Sequence, residues 1–218
     1  MQFRNGFYYA VVFFLLCWFV VLTQLPEVDW GYVLPVVVFG NLTAVSFYFM
    51  AGLVLLEKAE GTLEAQVVTP LTAWEYVVSK IVRLAALSLA EHLVIAWSAY
   101  GAGVGLVAFV SGVVVAGTLY SLVGFIAVAR YDSINEYMFP SVLLVVVVSL
   151  PILHYVGVWE PVVMYLHPFQ APLVLLKGAF QPIDAREWVY ALTSAVVWIA
   201  VLFRLGQRAF ARFLVAGG

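Results

Sequence analysis

The sequence predicts an all-α, polytopic membrane protein with six transmembrane helices, and three observations carry that prediction. Of its 218 residues 65% are hydrophobic and 10% are charged, where a soluble domain carries about 25% charged residues. The apolar residues stand in unbroken blocks of about 20, the length a helix needs to cross a hydrocarbon core. A membrane barrel would need alternating residues instead. The ten basic residues are distributed asymmetrically along the chain, as an oriented bundle requires.

The first span covers roughly 7–25 and is broken by Pro26, Glu27 and Asp29. Arg4 gives it a weak positive flank. The apolar run 7–21 is long for a signal-peptide core, and the residues after it lack a small-x-small cleavage pattern, so it reads as a retained span. The second span, 31–56, carries Asn41 and Thr43. A polar island, 57–80, follows. The third span covers about 77–100, and glycines 101, 103 and 105 then offer a tight reversal. The fourth, 106–129, places Gly112, Ala116, Gly117 and Ser121 at small-residue spacing suited to close helix packing. A shorter polar loop, 130–136, leads into the fifth span, 137–158. The sixth covers 187–205 and ends in a short basic tail.

The stretch 159–186 is too broken to cross, because Pro161, Pro168, Pro172 and Pro182 interrupt it. Irregular backbone at membrane depth must be buried in protein or line a cavity. A pair of short helices dipping part-way into the outer leaflet, re-entrant in manner, suits this stretch; a surface loop with its apolar side on the headgroups suits it equally.

With the amino terminus in the cytoplasm, Arg4, Lys58, Lys80, Arg83, Arg130, Arg204, Arg208 and Arg212 fall on the inner side, and Lys177 and Arg186 fall outside. Eight against two follows the positive-inside rule. Both termini are then cytoplasmic, and an odd number of spans would separate the basic tail from the 57–83 region. Arg204, Arg208 and Arg212 recur every four residues and form one stripe for anionic headgroups. Trp18, Trp30, Trp74, Trp159 and Trp188 fall near the interfaces, where amphipathic rings belong.

Several functions are excluded at this stage. Cys17 is the single cysteine, so no intrachain disulfide or cysteine metal framework exists. His92, His154 and His167 form no metal-binding pair by spacing. No Gly-x-x-x-x-Gly-Lys-Ser/Thr phosphate loop is present, so the chain does not hydrolyse ATP by that mechanism. No nucleic-acid partner is expected.

Inside the spans, Glu91 and His92 sit near the middle of the third. A charge at that depth costs about 3 kcal/mol on insertion scales, so such residues face the bundle interior. Adjacent helical positions point about 100° apart, so one of the two would line a pathway while the other pairs with a neighbouring helix. Ser88, one turn earlier, shares the face of His92, and His154 in the fifth span is a candidate partner for Glu91. Asn41, Glu91, His92 and His154 thus read either as a substrate pathway or proton relay, or as interhelical hydrogen bonds. His167-Pro168 reads as a gating element or a plain turn.

The polar island has its own logic. Thr72 and Glu75 fit a capping box, placing a helix start at Thr72 with Trp74 at the interface. Pro70 forbids a smooth helix through that point. Residues 62–68 are long enough for about two helical turns, with Leu63 and Val67 on one face and Glu60 and Glu64 on another. A short helix, a turn, and the next span would lie along the inner surface.

Glu57, then Gly61-Thr62-Leu63-Glu64, then Thr69-Pro70-Leu71, then Lys80 resembles the cytoplasmic loop of the type-2 ATP-binding-cassette (ABC) export permeases. The stretch 131–140 also resembles the loop of a subgroup, the fluoroquinolone-export permease subunits. The resemblance implies that 1–218 is a single permease domain in a prokaryotic cytoplasmic (inner) membrane. It implies that the loop is a coupling helix docking on a separate nucleotide-binding subunit. Glu57 and Glu64 would be its polar contacts, with Gly61, Thr62 and Leu63 in the docking turn. Thr69, Pro70 and Leu71 would set the angle to the third span. No cofactor is expected in this chain; ATP and Mg belong to the partner ATPase. Two permeases, either two copies or one copy with a related permease, would complete the unit, and the cargo would be hydrophobic or amphiphilic, drug-like or lipid-like. The alternatives are an intramembrane enzyme using Glu91, His92 and His154, or a non-transporting scaffold subunit.

Overall fold

The computed structural model describes residues 7–24, 28–62 and 72–215. Leu63, Glu64, Thr69, Pro70 and Leu71 of the expected coupling helix therefore lie outside the described residues. The described residues form helices and connecting turns. In chain order they are α1 (Phe7–Gln24), α2 (Trp30–Leu42), a π-helical segment (Thr43–Tyr48), α3 (Phe49–Ala59), α4 (Ala73–Tyr100), α5 (Leu106–Val128), α6 (Ile134–Val148), α7 (Leu150–Tyr155), a 3-10 turn (Val162–Leu166), α8 (Gln170–Gly178) and α9 (Ala185–Ala209), which runs into a π turn (Phe210–Val215).

Five helical runs among the described residues are long and apolar enough to cross a bilayer: Trp30–Ala59, Trp74–Gly103, Leu106–Val128, Ile134–Tyr155 and Ala185–Arg212. α1 adds an apolar helix of 18 residues. The chain is an all-helical, multi-pass membrane protein.

The helices start where the sequence supplies caps and extend past the expected spans. Asp29 caps α2, its carboxylate accepting from the Gly31 N–H at 3.0 Å. Thr72 caps α4 where its capping box places the helix start: the Glu75 carboxylate accepts from the Thr72 N–H at 2.8 Å and from its hydroxyl at 2.5 Å. Ser133 caps α6 by accepting from Glu136 N, so the helix opens inside the polar loop. Asp184 and Glu187 form a second capping box at α9. At the other end of the second span, helix continues to Ala59 and carries Glu57 and Lys58 with it.

Two expected spans are not single smooth helices. The second passes through π geometry at 43–48, a widening that often marks functional sites. The fifth is broken at Ser149, which ends α6 and precedes α7. Pro151 lies in the first turn of α7; it has no N–H to give the preceding turn, so the ladder stops there.

α5 is the central post, packing against α3, α4, α8, α9 and the π segment. Glycine permits two of these approaches. A Cβ on Gly112 would lie 2.9 Å from a Leu176 methyl carbon and 3.0 Å from the Leu176 backbone nitrogen. A Cβ on Gly124 would lie 2.6 Å from the Phe47 carbonyl oxygen. Small-residue spacing in this span therefore serves two different partners, α8 on one stretch and the π segment on the other.

The proline-punctuated stretch enters the bundle. Leu173, Leu175 and Leu176 of α8 are buried, as are Phe169 and Gln170 at its start. The Phe169 ring lies 4.5 Å from that of Tyr120 and 6.3 Å from that of Phe39. At the far end of α8, Ala179 O accepts from Gly105 N at 2.7 Å. Tyr120 is 14 residues into α5, about 21 Å along the axis, with its ring reaching back toward the helix start. α8 thus enters the helical bundle and runs antiparallel to α5, from beside Tyr120 back to Gly105. The surface-loop alternative is set aside, because α8 is covered by protein on its apolar faces.

Candidate functional site

The base of the 57–80 loop is built from side chains that grip their neighbours. Lys80 Nζ donates to Glu57 Oε1 at 2.5 Å, and the Tyr76 hydroxyl donates to Glu57 Oε2 at 2.7 Å. Only 8% of the Lys80 side chain and 13% of the Glu57 side chain remain exposed, so the pair is held out of water, where its attraction is least screened. Lys80 also lies 4.5 Å from the centroid of the Tyr76 ring. Tyr76 in turn packs its ring against Phe125 of α5 and Phe210 of the terminal π turn. The end of α3, the start of α4 and both neighbours are thereby tied into one unit.

Lys58, the next residue, grips elsewhere. Its ammonium donates to the carbonyls of Ala129 at 2.9 Å and Tyr131 at 2.8 Å, and to Asp132 Oδ1 at 3.1 Å. It thus satisfies backbone acceptors left open where α5 ends and lies at the negative end of that helix's dipole. Past it, α3 closes at Gly61 in the left-handed region with φ 66°, a position that favours glycine. The Thr62 hydroxyl donates back to Glu57 O at 3.2 Å. Gly61 and Thr62 therefore form the C-terminal cap of α3. Glu57, expected among the docking contacts, spends both carboxylate oxygens inside the protein.

The second polar site lies in the interior. Asn41 Nδ2 donates to Glu91 Oε1 at 2.9 Å and lies 3.3 Å from His92 Nε2. His92 Nδ1 is 2.6 Å from the Ser88 carbonyl, so Nδ1 carries the proton and Nε2 accepts from Asn41. Ser88 and Ser46 pair through their hydroxyls at 3.1 Å. One amide group thus serves both Glu91 and His92. This corrects the expectation that adjacent helical positions cannot converge: the Cα–Cβ bonds diverge, but the side chains reach round to a residue lying between them on α2. Glu91 Oε2 has no hydrogen-bond partner among the described residues. Thr43 is buried two positions beyond Asn41, where the helix widens.

His154 is not the partner of Glu91. It sits on α7 with its ring edge-on to Tyr165 at 5.3 Å, and its Nδ1 is buried without a hydrogen-bond partner among the described residues. Residue 154 follows the interruption at Ser149 and faces the 3-10 turn that carries Tyr165. The three residues an intramembrane acid–base centre would need are therefore not brought together. His167 makes a turn, its Nδ1 accepting from Phe169 N at 3.2 Å.

A model of the fluoroquinolones export permease protein family matches residues 1–218. The chain belongs to that family. Two curated relatives, each named a fluoroquinolones export permease protein, come from Mycobacterium tuberculosis strains CDC 1551 / Oshkosh and ATCC 25618 / H37Rv. Each is 35% identical over 218 residues, covering 99% of this chain and 92% of the relative. No solved structure matches. The narrower of the two resemblances read from the sequence is thus the one that extends over the whole chain. For an export permease the geometry offers two places to look: a clamped loop base at one end and a buried polar node about two-thirds of the way along α4.

Sequence reasoning registered Lys58 only as an inner-side charge and Tyr76 not at all. The signal for Lys58 was a cation at a helix end, but its acceptors lie 71 and 73 residues away. Tyr76 sits three residues inside a helix whose cap was legible, and its apolar ring gave no hint of the acid it holds.

Proposed function

We propose that this chain is the membrane-spanning subunit of an ABC exporter, driven by ATP hydrolysis on a separate nucleotide-binding subunit. The supporting observation is the clamp of Glu57 on Lys80 and Tyr76, which ties both flanks of the loop to the bundle. A loop that only joins two helices needs no such buried fastening. A loop that receives force from a partner does, because slack at its base would dissipate the displacement. On this reading 61–68 docks on the ATPase, with Leu63 and Glu64 as its apolar and polar contacts. Thr69, Pro70 and Leu71 set the angle into α4, and Glu57 transmits rather than docks. ATP and Mg are bound by the partner.

α1 is taken as the sixth span, so that both termini and the docking loop share the cytoplasmic face of an inner membrane. Two such permeases, identical or related, assemble with two ATPase subunits, and cargo passes between them. The apolar bundle and the names of the mycobacterial relatives favour an amphiphilic aromatic cargo of the fluoroquinolone kind.

The test is charge reversal at the docking turn. In proteoliposomes holding the permease with its co-expressed ATPase, Glu64→Lys should lower ATP turnover and export together, at least fivefold, with the bundle still folded. Assembly and turnover equal to the unaltered complex would refute the docking role.

A further inference from the structure

α6 meets the rest of the bundle along one narrow stripe. Of its 15 residues Tyr137, Ser141 and Val148 are the buried ones. Tyr137 seats it, with its ring 6.1 Å from that of Phe47 on the π segment and 5.8 Å from that of Tyr131. Beside this stripe the end of α5 and a flank of α6 enclose a groove of about 300 Å³. Ala127 and Arg130 line it from the α5 side, and Pro140, Leu144 and Val147 line it from α6. Leu143 and Val147 are exposed, so the groove opens sideways to the bilayer.

Its two ends differ. The polar end lies where Lys58 reaches from the loop base to the Ala129 and Tyr131 carbonyls. Arg130 is exposed there, its guanidinium 6.0 Å from the centroid of the Tyr131 ring. No acid pairs with it among the described residues: Asp132 is held by Lys58 at 3.1 Å, and Glu136 in the first turn of α6 makes no ion pair. Beyond Arg130 the walls are apolar. The groove follows α6 from Tyr137 to Val147, ten residues or about 15 Å along a helix axis. That is half of a hydrocarbon core about 30 Å thick, the depth of one leaflet. The volume spread over that length leaves a cross-section of about 20 Å². This is the girth of one extended hydrocarbon chain, and it is too narrow for a ring system lying flat.

An unpaired cation at the mouth of a leaflet-deep apolar slot fits an anion joined to a hydrocarbon chain. Arginine holds phosphate through its planar fork of donors, and basic residues at helix ends draw acidic lipids. We propose that this groove is a binding site for an acidic phospholipid of the leaflet at the loop end, its phosphate on Arg130 and one acyl chain laid between α5 and α6. The lipid completes the seat of a helix that the protein alone covers on one stripe. Its binding needs no ATPase and goes beyond the export reading, so it stands or falls separately from Glu64→Lys.

The experiment is native mass spectrometry of the purified full-length chain, titrated in detergent with dioleoyl-phosphatidylglycerol. A saturable adduct of one lipid is expected, at least fivefold tighter than with dioleoyl-phosphatidylcholine. Arg130→Gln should weaken it at least fivefold, and Leu144→Trp, which fills the slot, by as much. Arg130 is exposed and Leu144 half-buried, so neither replacement opens the core. Dihexanoyl-phosphatidylglycerol should bind at least tenfold more weakly, and glycerol phosphate should not compete, which separates the lipid from a free phosphate. Arg204→Gln with Arg208→Gln should keep the adduct. The proposal is overturned by absence of a saturable adduct, by acidic and zwitterionic lipids binding alike, by Arg130→Gln and Leu144→Trp binding like the unaltered chain, or by loss of the adduct in the Arg204 and Arg208 variant alone. Disulfide capture between copies carrying Leu143→Cys in a Cys17→Ser background would also overturn it, because a second copy then covers the groove.

Discussion

Glu57 and Lys80 meet at 2.5 Å across the base of a loop that separates them by 23 positions. The contact joins the last turn of α3 to the second turn of α4, so any displacement of the loop is shared by both helices at once. Removing one member of a buried pair costs about 3–5 kcal/mol, because the other is left charged and unpaired, whereas replacing both with apolar groups is often near neutral. Glu57→Leu should therefore lower the thermal midpoint of the detergent-solubilised protein markedly, and Glu57→Leu with Lys80→Met should recover most of that loss. A double variant as unstable as the single one would show that the pair is not what holds the two helices.

Lys58 and Asp132 form the contrasting case. Asp132 is 89% exposed at its side chain, and exposed ion pairs contribute about 0–1 kcal/mol. Asp132→Asn should leave stability within about 0.5 kcal/mol of the unaltered protein on that ground. Lys58→Met strips the Ala129 and Tyr131 carbonyls of their donor, at about 1–3 kcal/mol per buried unsatisfied group. Urea or thermal denaturation of the two variants side by side measures the difference, and equal effects would contradict the capping role.

Asn41 supplies the hydrogens for both Glu91 and His92, so its loss should exceed that of an ordinary membrane hydrogen bond, which averages about 0.6 kcal/mol. Asn41→Leu is expected to destabilise by about 2 kcal/mol. A double-mutant cycle between Asn41 and Glu91 should give a coupling of about 1 kcal/mol. Additive effects in that cycle would place the two residues in separate environments.

Two glycines, one on α5 and one on α9 facing it, predict a graded series. Gly124→Ala drives a methyl to 2.6 Å from the Phe47 carbonyl oxygen, and overpacking of this kind costs about 1–3 kcal/mol. Gly206→Ala on α9 meets its nearest neighbour at 3.7 Å and gains helix propensity of about 1 kcal/mol in an aqueous scale. The first should lower the thermal midpoint and the second should hold or raise it. The reverse order would mean that the π segment does not press on α5.

What the sequence made legible was local or periodic. Apolar blocks of bilayer length, the Thr72–Glu75 cap and the buried placement of Glu91 and His92 each depend on residues within one helix or one turn. The break at Ser149 was signalled by Pro151, but a proline is tolerated in many membrane helices, so the signal did not decide. The π geometry at 43–48 lies where Phe47 crosses close to Gly124, a long-range contact that no local pattern encodes. The pairing of Asn41 with Glu91, 50 residues apart, and the distance of His154 from both required knowing which helix faces meet. For the same reason Glu57 read as a docking contact: the resemblance placed it in the loop, and only the reversal of the chain brings Tyr76 and Lys80 over it.

The nine-residue helix α8 has a consequence for how this protein is made. At nine residues it is about half the length that insertion machinery recognises as a span, so it cannot be delivered to its interior berth on its own hydrophobicity. Its seat is formed by α5, already synthesised, and by α9, which emerges from the ribosome afterwards. Threading of the elbow must then wait until the final helix is in the bilayer. In a Cys17→Ser background, a released chain ending at residue 184 should leave Leu173→Cys open to maleimide, whereas the full-length chain should shield it.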